Sequence, residues 1–465
     1  MADSQLIYNC PGCGKPTTAS QGGLTNRCQY CGLVARIGAP GTVFKYFYPS
    51  KVDAFGARMA ADRFLKENQL PLTGNIIRAE FYYLPFYRFR GMALDYIAST
   101  VAETKPITGE GEIDESVSLT TKLQLKGKDF DVTIPGVSEI GFGMISLGIR
   151  PVAVPLYGFC PTDISRDAII IGSDISAAEI PAKATDLHRT NLGLYNKGRA
   201  IYSAMIGEQL SVIYFPIWAL THQVGGQEKT VFVDALAKRG YQQSDSAFKF
   251  GGSRSAGQNS QFITPMRHQC PNCGQDLEEK PFSLFYPCSN CRRAYLLDKN
   301  GYRQVAPQVA VAANAPFWRF KLELAGKKTY KTVKDFSELL VSEPAFLRKE
   351  KRDRQFYLYS PAFFAGDVNR WTEMALRIVK SQPHDELVEG LPAVGPDVCV
   401  EEKEAKQMAA FLWDIATAKY LKLKKAGFQV DENILPPGEI IWLPLQDEVL
   451  LSKSRNFRQV NVVSK

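Results

Sequence analysis

Cys10-Pro11-Gly12-Cys13 and Cys28-Gln29-Tyr30-Cys31 stand fourteen residues apart, and Cys270-Pro271-Asn272-Cys273 and Cys288-Ser289-Asn290-Cys291 repeat the pattern with the same gap of fourteen. A C-x2-C turn puts two sulfurs on one side of a tight loop with backbone N–H groups aimed at them. Two such turns facing each other close a tetrahedral thiolate site of the kind structural zinc prefers. Gly14, Gly32 and Gly274 follow a second cysteine, where a left-handed backbone is often needed. Arg292 takes that place in the last turn. The spacing therefore predicts two metal ribbons, with Cys10, Cys13, Cys28 and Cys31 holding one structural Zn2+ and Cys270, Cys273, Cys288 and Cys291 a second. Disulfides and rubredoxin-like iron are the competing readings of the same eight sulfurs. A site with four protein ligands has no open position for substrate, so it supplies folding energy rather than catalysis.

Outward from the cysteines, the chain of 465 residues is too long for one core. Residues 1–38 read as the first ribbon and 42–242 as a body domain. Residues 243–264, rich in Ser, Gly and Gln, read as a flexible linker. A second ribbon spans 265–300, and a second body domain with a long C-terminal helix spans 301–465. This ribbon–body, ribbon–body plan suggests a duplication. The signatures Leu84-Pro85-Phe86-Tyr87, Phe215-Pro216-Ile217-Trp218 and Ala315-Pro316-Phe317-Trp318 recur along it, with looser copies at Ser360-Pro361-Ala362-Phe363 and Leu443-Pro444-Leu445. Proline cannot donate to a ladder, so each should mark a bulge, an edge or a strand start. The expected class is α+β with mainly antiparallel sheets. Hairpins are expected at Gly91 and at Gly225-Gly226. Helices are expected from Lys51 to Asn68 (capped by Ser50), from Asp367 or Asn369 to Lys380, and from Val400 to Ala426, with weaker helical pattern at 176–188 and 197–210. On the first, Val52, Phe55, Met59, Ala60 and Phe64 form one apolar face.

The 45% hydrophobic and 22% charged content is that of a globular protein, and no apolar run reaches the length of a membrane span. With no signal-peptide pattern and thiolates set for metal, a cytoplasmic location is expected. The formal charge of +8 is modest for the length, and the basic run 348–354 is interrupted by two acids. That run leaves peripheral association with phosphate headgroups open. No G-x4-G-K-[ST] or H-E-x-x-H motif occurs, and the four histidines, His188, His222, His268 and His384, are scattered. His268, two residues before Cys270, is a candidate hydrogen-bond donor to a metal-bound thiolate. Cys160 and Cys399 lack the setting of a nucleophile, so no catalytic residue and no organic cofactor is assigned.

The C-P-x-C-G turns resemble those of the broad zinc-ribbon group, which includes transcription-factor and ribosomal ribbons. A ribbon followed by FYYLPFYRFRG (81–91) and VIYFPIWALTHQVGGQEKTVFVD (212–234) resembles bacterial multi-ribbon proteins of poorly defined function. Some of those accompany membrane-stress proteins and carry transmembrane helices that this chain lacks. The expectation is a non-enzymatic adaptor or subunit that contacts another protein, with Tyr87, Trp218 and Trp318 as anchors wherever they are exposed. The alternative is a nucleic-acid-binding factor, with Lys15, Arg27, Arg292 and Arg293 on phosphates and Tyr30 or Tyr295 stacked on bases.

Overall fold

The computed structural model describes residues 5–20, 22–70, 75–109, 112–138, 147, 156–159, 164–165, 167–195, 199–244, 265–325, 329–339, 353–365, 367–383, 386–393, 395–417, 430, 433–446 and 454–455. It is α+β and rich in strands, as expected. In the first half, β1 (Gln5–Asn9) and β2 (Pro16–Ser20) flank the first cysteine turn, and β3 (Thr25–Arg27) and β4 (Val34–Arg36) flank the second. There follow β5 (Phe44–Phe47), α1 (Ala54–Glu67), β6 (Ile76–Gly109), β7 (Glu112–Pro135), β8 (Leu156–Gly158) and β9 (Ala168–Ile170). Then come α2 (Ile180–Tyr195), β10 (Arg199–Val224), β11 (Gln227–Asp234) and β12 (Arg239–Ser244). Beyond β12, residues 245–264 of the expected linker lie outside the described residues, as do Cys160, His384 and 348–352.

Two expectations fail inside β6 and β10. The helix at 197–210 is strand, because β10 pairs with β6 from Arg199 opposite Ala98 to His222 opposite Ile76. The turn at Gly91 is uninterrupted strand. Gly91 lies where β10 bulges between Ile206 and Gln209, and a side chain there would meet the Ile206 carbonyl at 3.1 Å. The Gly225-Gly226 hairpin is present, with φ of 57° and 83°. Helix α1 starts later than expected, because Asp53 rather than Ser50 caps it, accepting from the Gly56 N–H at 2.8 Å. Its buried face is also rotated. Ala57, Ala60, Ala61 and Leu65 pack on Leu220, Val231 and Val233, while Phe55 is 71% exposed and Met59 52%. Small alanines let the helix lie close to the sheet, and Phe64 sits tight over Gly240.

The second half opens with β13 (Met266–Arg267), β14 (Phe285–Pro287), β15 (Ala294–Asp298) and β16 (Gly301–Val305) around its ribbon. It continues with β17 (Gln308–Ala310), β18 (Ala315–Lys321), the hairpin β19 (Leu324–Ala325) and β20 (Thr329–Tyr330), α3 (Val333–Leu339) and β21 (Tyr357–Pro361). Last come β22 (Phe364–Ala365), α4 (Val368–Ser381), β23 (Leu387–Glu389), α5 (Glu402–Thr417), β24 (Glu439–Leu443) and β25 (Ser454–Arg455), which pairs β22. Asp367 caps α4, accepting from the Arg370 N–H. Helix α5 buries Met408, Phe411 and Leu412, as its apolar face requires, and residues 418–429 lie outside the described set.

The two sheets share one strand order. Taking β5, β6, β7, β8, β10 and β17, β18, β21, β23, β24 as strands one to five of each, both run 3-2-5-1-4. In both, strands 5 and 1 are parallel and the other neighbours antiparallel. Registers agree as well. Tyr214 faces Pro85 as Trp442 faces Pro316, and Phe86 faces Pro135 as Phe317 faces Pro361. Tyr87 donates its OH to the Ile175 carbonyl at 2.9 Å, and Trp318 donates its indole N–H to the Val400 carbonyl at the same distance. Pro361 ends the edge strand β21, whereas Pro85 and Pro216 sit in interior strands at handover points. Pro85 lies between the part of β6 flanked by β9 and that flanked by β7, and Pro216 lies between the parts of β10 flanked by β5 and β11. No neighbour needs their missing N–H there.

Candidate metal centres

Each cysteine turn is built by the same pair of backbone bonds. In the first, the Cys10 N–H donates to Lys15 O and the Gly14 N–H to Cys10 O; Cys28, Cys270 and Cys288 repeat this with Leu33 and Gly32, Gln275 and Gly274, and Arg293 and Arg292. The closing residue must be left-handed: φ is 70° at Gly14, 73° at Gly32, 72° at Gly274 and 58° at Arg292. The turn then aims backbone donors at sulfur, with the Gly12 N–H 3.4 Å from Cys10 Sγ and the Tyr30 N–H 3.4 Å from Cys28 Sγ. The Cys31 N–H, working against burial and joined by that of Tyr30, holds the Cys28 thiol down to about 6.

Within each cluster the four sulfurs lie within 4.8 Å of one another. The Cys10–Cys31 and Cys13–Cys28 pairs stand at 3.7 Å, Cys270–Cys291 at 3.7 Å and Cys273–Cys288 at 3.6 Å. A tetrahedron with metal–sulfur bonds of about 2.3 Å has edges of about 3.8 Å, so both clusters can hold a metal ion. They are far from the roughly 2.05 Å of a disulfide. Bound there, the ion would tie two turns together and fix the strands that follow them.

The two ribbons are joined through main chain. β13 pairs β4, the His268 N–H donates to Val34 O at 3.0 Å, and the Leu24 N–H donates to Pro281 O. Arg27 pairs with Glu279 at 3.4 Å, and Arg36 lies over the Tyr302 ring at 5.0 Å. His268 does not reach a thiolate. Its ring is buried, with Nε2–H on the Glu278 carbonyl at 3.2 Å and Nδ1 accepting from the Tyr302 hydroxyl, and burial pushes its pKa down to about 4. Tyr295 holds the place expected of His268, its OH donating to Cys270 Sγ at 3.6 Å.

That contact buries Tyr295, so it cannot stack on a base. Of the remaining ribbon-tip residues, Arg27 is engaged by Glu279 and by the Gly32 carbonyl, and Arg293 by Gln304 at 3.3 Å. Tyr30 is 53% exposed, with Lys15 Nζ 4.8 Å above its ring. Of the aromatic anchors, Tyr87 and Trp318 are buried, and Trp218 is half-buried, stacked on Phe81 at 4.8 Å and donating to Val52 O. Their strand neighbours Phe86, Arg88, Ile217, Ala219 and Phe317 are buried as well, so these stretches are covered on both faces.

Sequence reasoning missed a buried polar cluster on β6, β10 and α2. Asp95 accepts from Ser203 Oγ at 2.7 Å and bonds His188 Nε2 at 3.0 Å. The aspartate stands between the other two, so the histidine cannot take a proton from the serine, and the cluster pins α2 to the strands. Asp95 inside an apolar strand stretch is the signal that could have revealed it. A cavity of about 220 Å3 opens beside Tyr46, Arg90 and Gln209, where burial and then Arg88 push the Arg90 pKa down to about 10. Among the described residues no helix is long and apolar enough to cross a membrane. No protein family, curated protein or solved structure matches this chain.

Proposed function

We propose that the chain is a non-enzymatic adaptor or structural subunit, cytoplasmic, with two structural zinc ribbons and two related sheet domains arisen by duplication. The observation that supports it best is the seating of the ribbons. Each is closed by four chain sulfurs and is backbone-paired to its neighbours, so metal binding stiffens the junction between the sheets rather than opening a reactive site. The common strand order, registers and aromatic-to-carbonyl bonds support the duplication. A rigid scaffold of this kind serves to present surfaces to another protein. The test is gentle affinity purification of the full chain from its native cell, read by mass spectrometry. A stoichiometric protein partner is expected; a chain that elutes alone, with measurable turnover of a small molecule, would overturn the reading.

The nucleic-acid alternative keeps one supporting observation, the exposed Lys15–Tyr30 pair at the tip of the first ribbon. Its test is salt dependence: phosphate contacts make affinity fall steeply with salt, and oligonucleotide binding that barely changes between low and moderate salt would sink it.

A further inference from the structure

The shared strand order leaves one position filled in the first half and open in the second. On the fourth strand of the first sheet, β8, the outer edge takes β1 in parallel, with Leu6 beside Leu156 and Ile7 beside Tyr157. The fourth strand of the second sheet is β23, and among the described residues its outer edge pairs with nothing. The strand that would correspond to β1, β13, pairs with β4 of the other ribbon instead.

Local geometry at the two edges agrees. The Phe159 N–H points inward to Lys45 O at 2.9 Å, and the Gly390 N–H points inward to Pro307 O at 3.1 Å. Alternation along a strand then turns the N–H and C=O of Glu389 outward, as it does those of Gly158. The side chains differ as covered and uncovered edges should. Leu156 is buried and Tyr157 half-buried beside β1, whereas at the corresponding positions Leu387 is half-buried and Val388 is 58% exposed, with Leu391 exposed three residues on. Exposed carboxylates at Glu386 and Glu389 frame this patch.

We propose that β23 is a strand-acceptor edge, taking in parallel an extended segment of another polypeptide with apolar residues at its centre and basic residues at its flanks. The proposal rests on the protein-contact reading above and names where that contact forms. Charge decides the occupant. Two copies of this chain meeting β23 to β23 would set Glu386 and Glu389 against each other, which disfavours self-pairing, whereas lysine or arginine flanks complement them. Main-chain bonds would supply the affinity and the Val388–Leu391 patch the preference for apolar side chains.

The probe is a labelled peptide carrying the β1 sequence Gln-Leu-Ile-Tyr-Asn with lysine at each end, titrated into the metal-loaded full chain by fluorescence anisotropy. Saturable binding is expected, weakened at least about tenfold by Glu389→Pro, which removes an outward N–H without touching the pairing to β17. Amide exchange should slow at Leu387 and Glu389. Metal content and circular dichroism report whether Glu389→Pro folds; the charge reversal Glu386→Lys with Glu389→Lys provides a second variant and should weaken binding by a similar factor. No saturable binding, affinity unchanged in the folded variants, or protection at the β2 or β12 edge instead would overturn the proposal. Equal capture of a cellular partner by wild type and Glu389→Pro would remove this edge while leaving the protein-contact reading in place.

Discussion

β6 is 34 residues long and β10 is 26, whereas their counterparts β18 and β24 are seven and five. Near their common register point, opposite Pro85 and Pro316, the two sheets are alike; beyond it only the first continues. The added length carries Met92, Leu94 and Ile206 into the core of the second half, where they join Met408, Leu412 and Trp413 of that core. Among the described residues, no strand of the second sheet enters the clusters of the first half in return. A shared topology thus yields an asymmetric molecule in which the first half supplies a wall for the second.

The ribbons are asymmetric in the same sense, which gives the largest expected effect. Cys270 and Cys288 belong to the core of the second half, together with Leu284, Phe285 and Tyr286, whereas the first ribbon's cysteines belong to no such cluster. Structural zinc contributes about 10–16 kcal/mol in small domains, as much as the whole stability of a typical fold at about 5–15 kcal/mol. Cys273→Ser should therefore lose one metal equivalent and abolish the cooperative unfolding of the second half. Cys13→Ser should lose the other equivalent and leave that transition largely in place. Trp318, Trp371, Trp413 and Trp442 lie in the second half and only Trp218 in the first, so tryptophan fluorescence follows the second half. Equal loss of that signal in both variants would break the asymmetry.

The wall itself is tested next. Leu94→Ala removes a fully buried side chain of β6, at a cost of about 2–5 kcal/mol. Because Leu94 lies in the second half's core, the loss should appear in the tryptophan transition under denaturant. A variant that destabilises the chain without moving that transition would confine β6 to its own half. Smaller still is Tyr87→Phe, which deletes the hydroxyl bond to Ile175 O and should cost about 1 kcal/mol. A value near zero would mean that this bond, unlike its Trp318 counterpart, adds no net stability.

What was legible in the sequence was what is decided within a few residues. The sulfur spacing, the left-handed position after each turn and the Gly225-Gly226 hairpin are all local, and all three stand; of the two caps offered for α4, Asp367 and Asn369, the first is used. The long strands were not legible, because β10 owes its state to a partner about a hundred residues earlier, and no local pattern in 197–210 encodes that pairing. Burial of Tyr295 was hidden for a related reason: its hydroxyl looks fit for a surface and is used up by a thiolate inside, as the polar atoms of Tyr87 and Trp318 are by carbonyls. The common strand order was equally invisible. Tyr214 and Trp442 correspond by register rather than by residue type, and the one identity at the helix starts, Glu179 and Glu404, shows only through the backbone N–H that each accepts.

The finest contrast lies between two cysteine turns that close on different residues. Gly32 and Arg292 close equivalent turns with φ of 73° and 58°, and each donates its N–H to the first cysteine's carbonyl, at 2.9 and 3.0 Å. A left-handed backbone costs a side-chain-bearing residue about 1–2 kcal/mol, offset in part by the larger entropy glycine loses on folding. Arg292→Gly should therefore gain about 0.5–1 kcal/mol, since its side chain is exposed. Gly32→Ala should lose a similar amount. A Cβ at Gly32 would meet nothing within 4 Å, so the loss measures backbone conformation alone. The pair is best read by metal competition against a chelator together with denaturant unfolding, because a metal bound by the four sulfurs would hold each turn closed. Opposite signs of equal size would show that the two sites are the same device carrying different residues. If Arg292→Gly instead weakens metal retention, the arginine serves its site through its charge, and the two ribbons differ in chemistry as well as in seating.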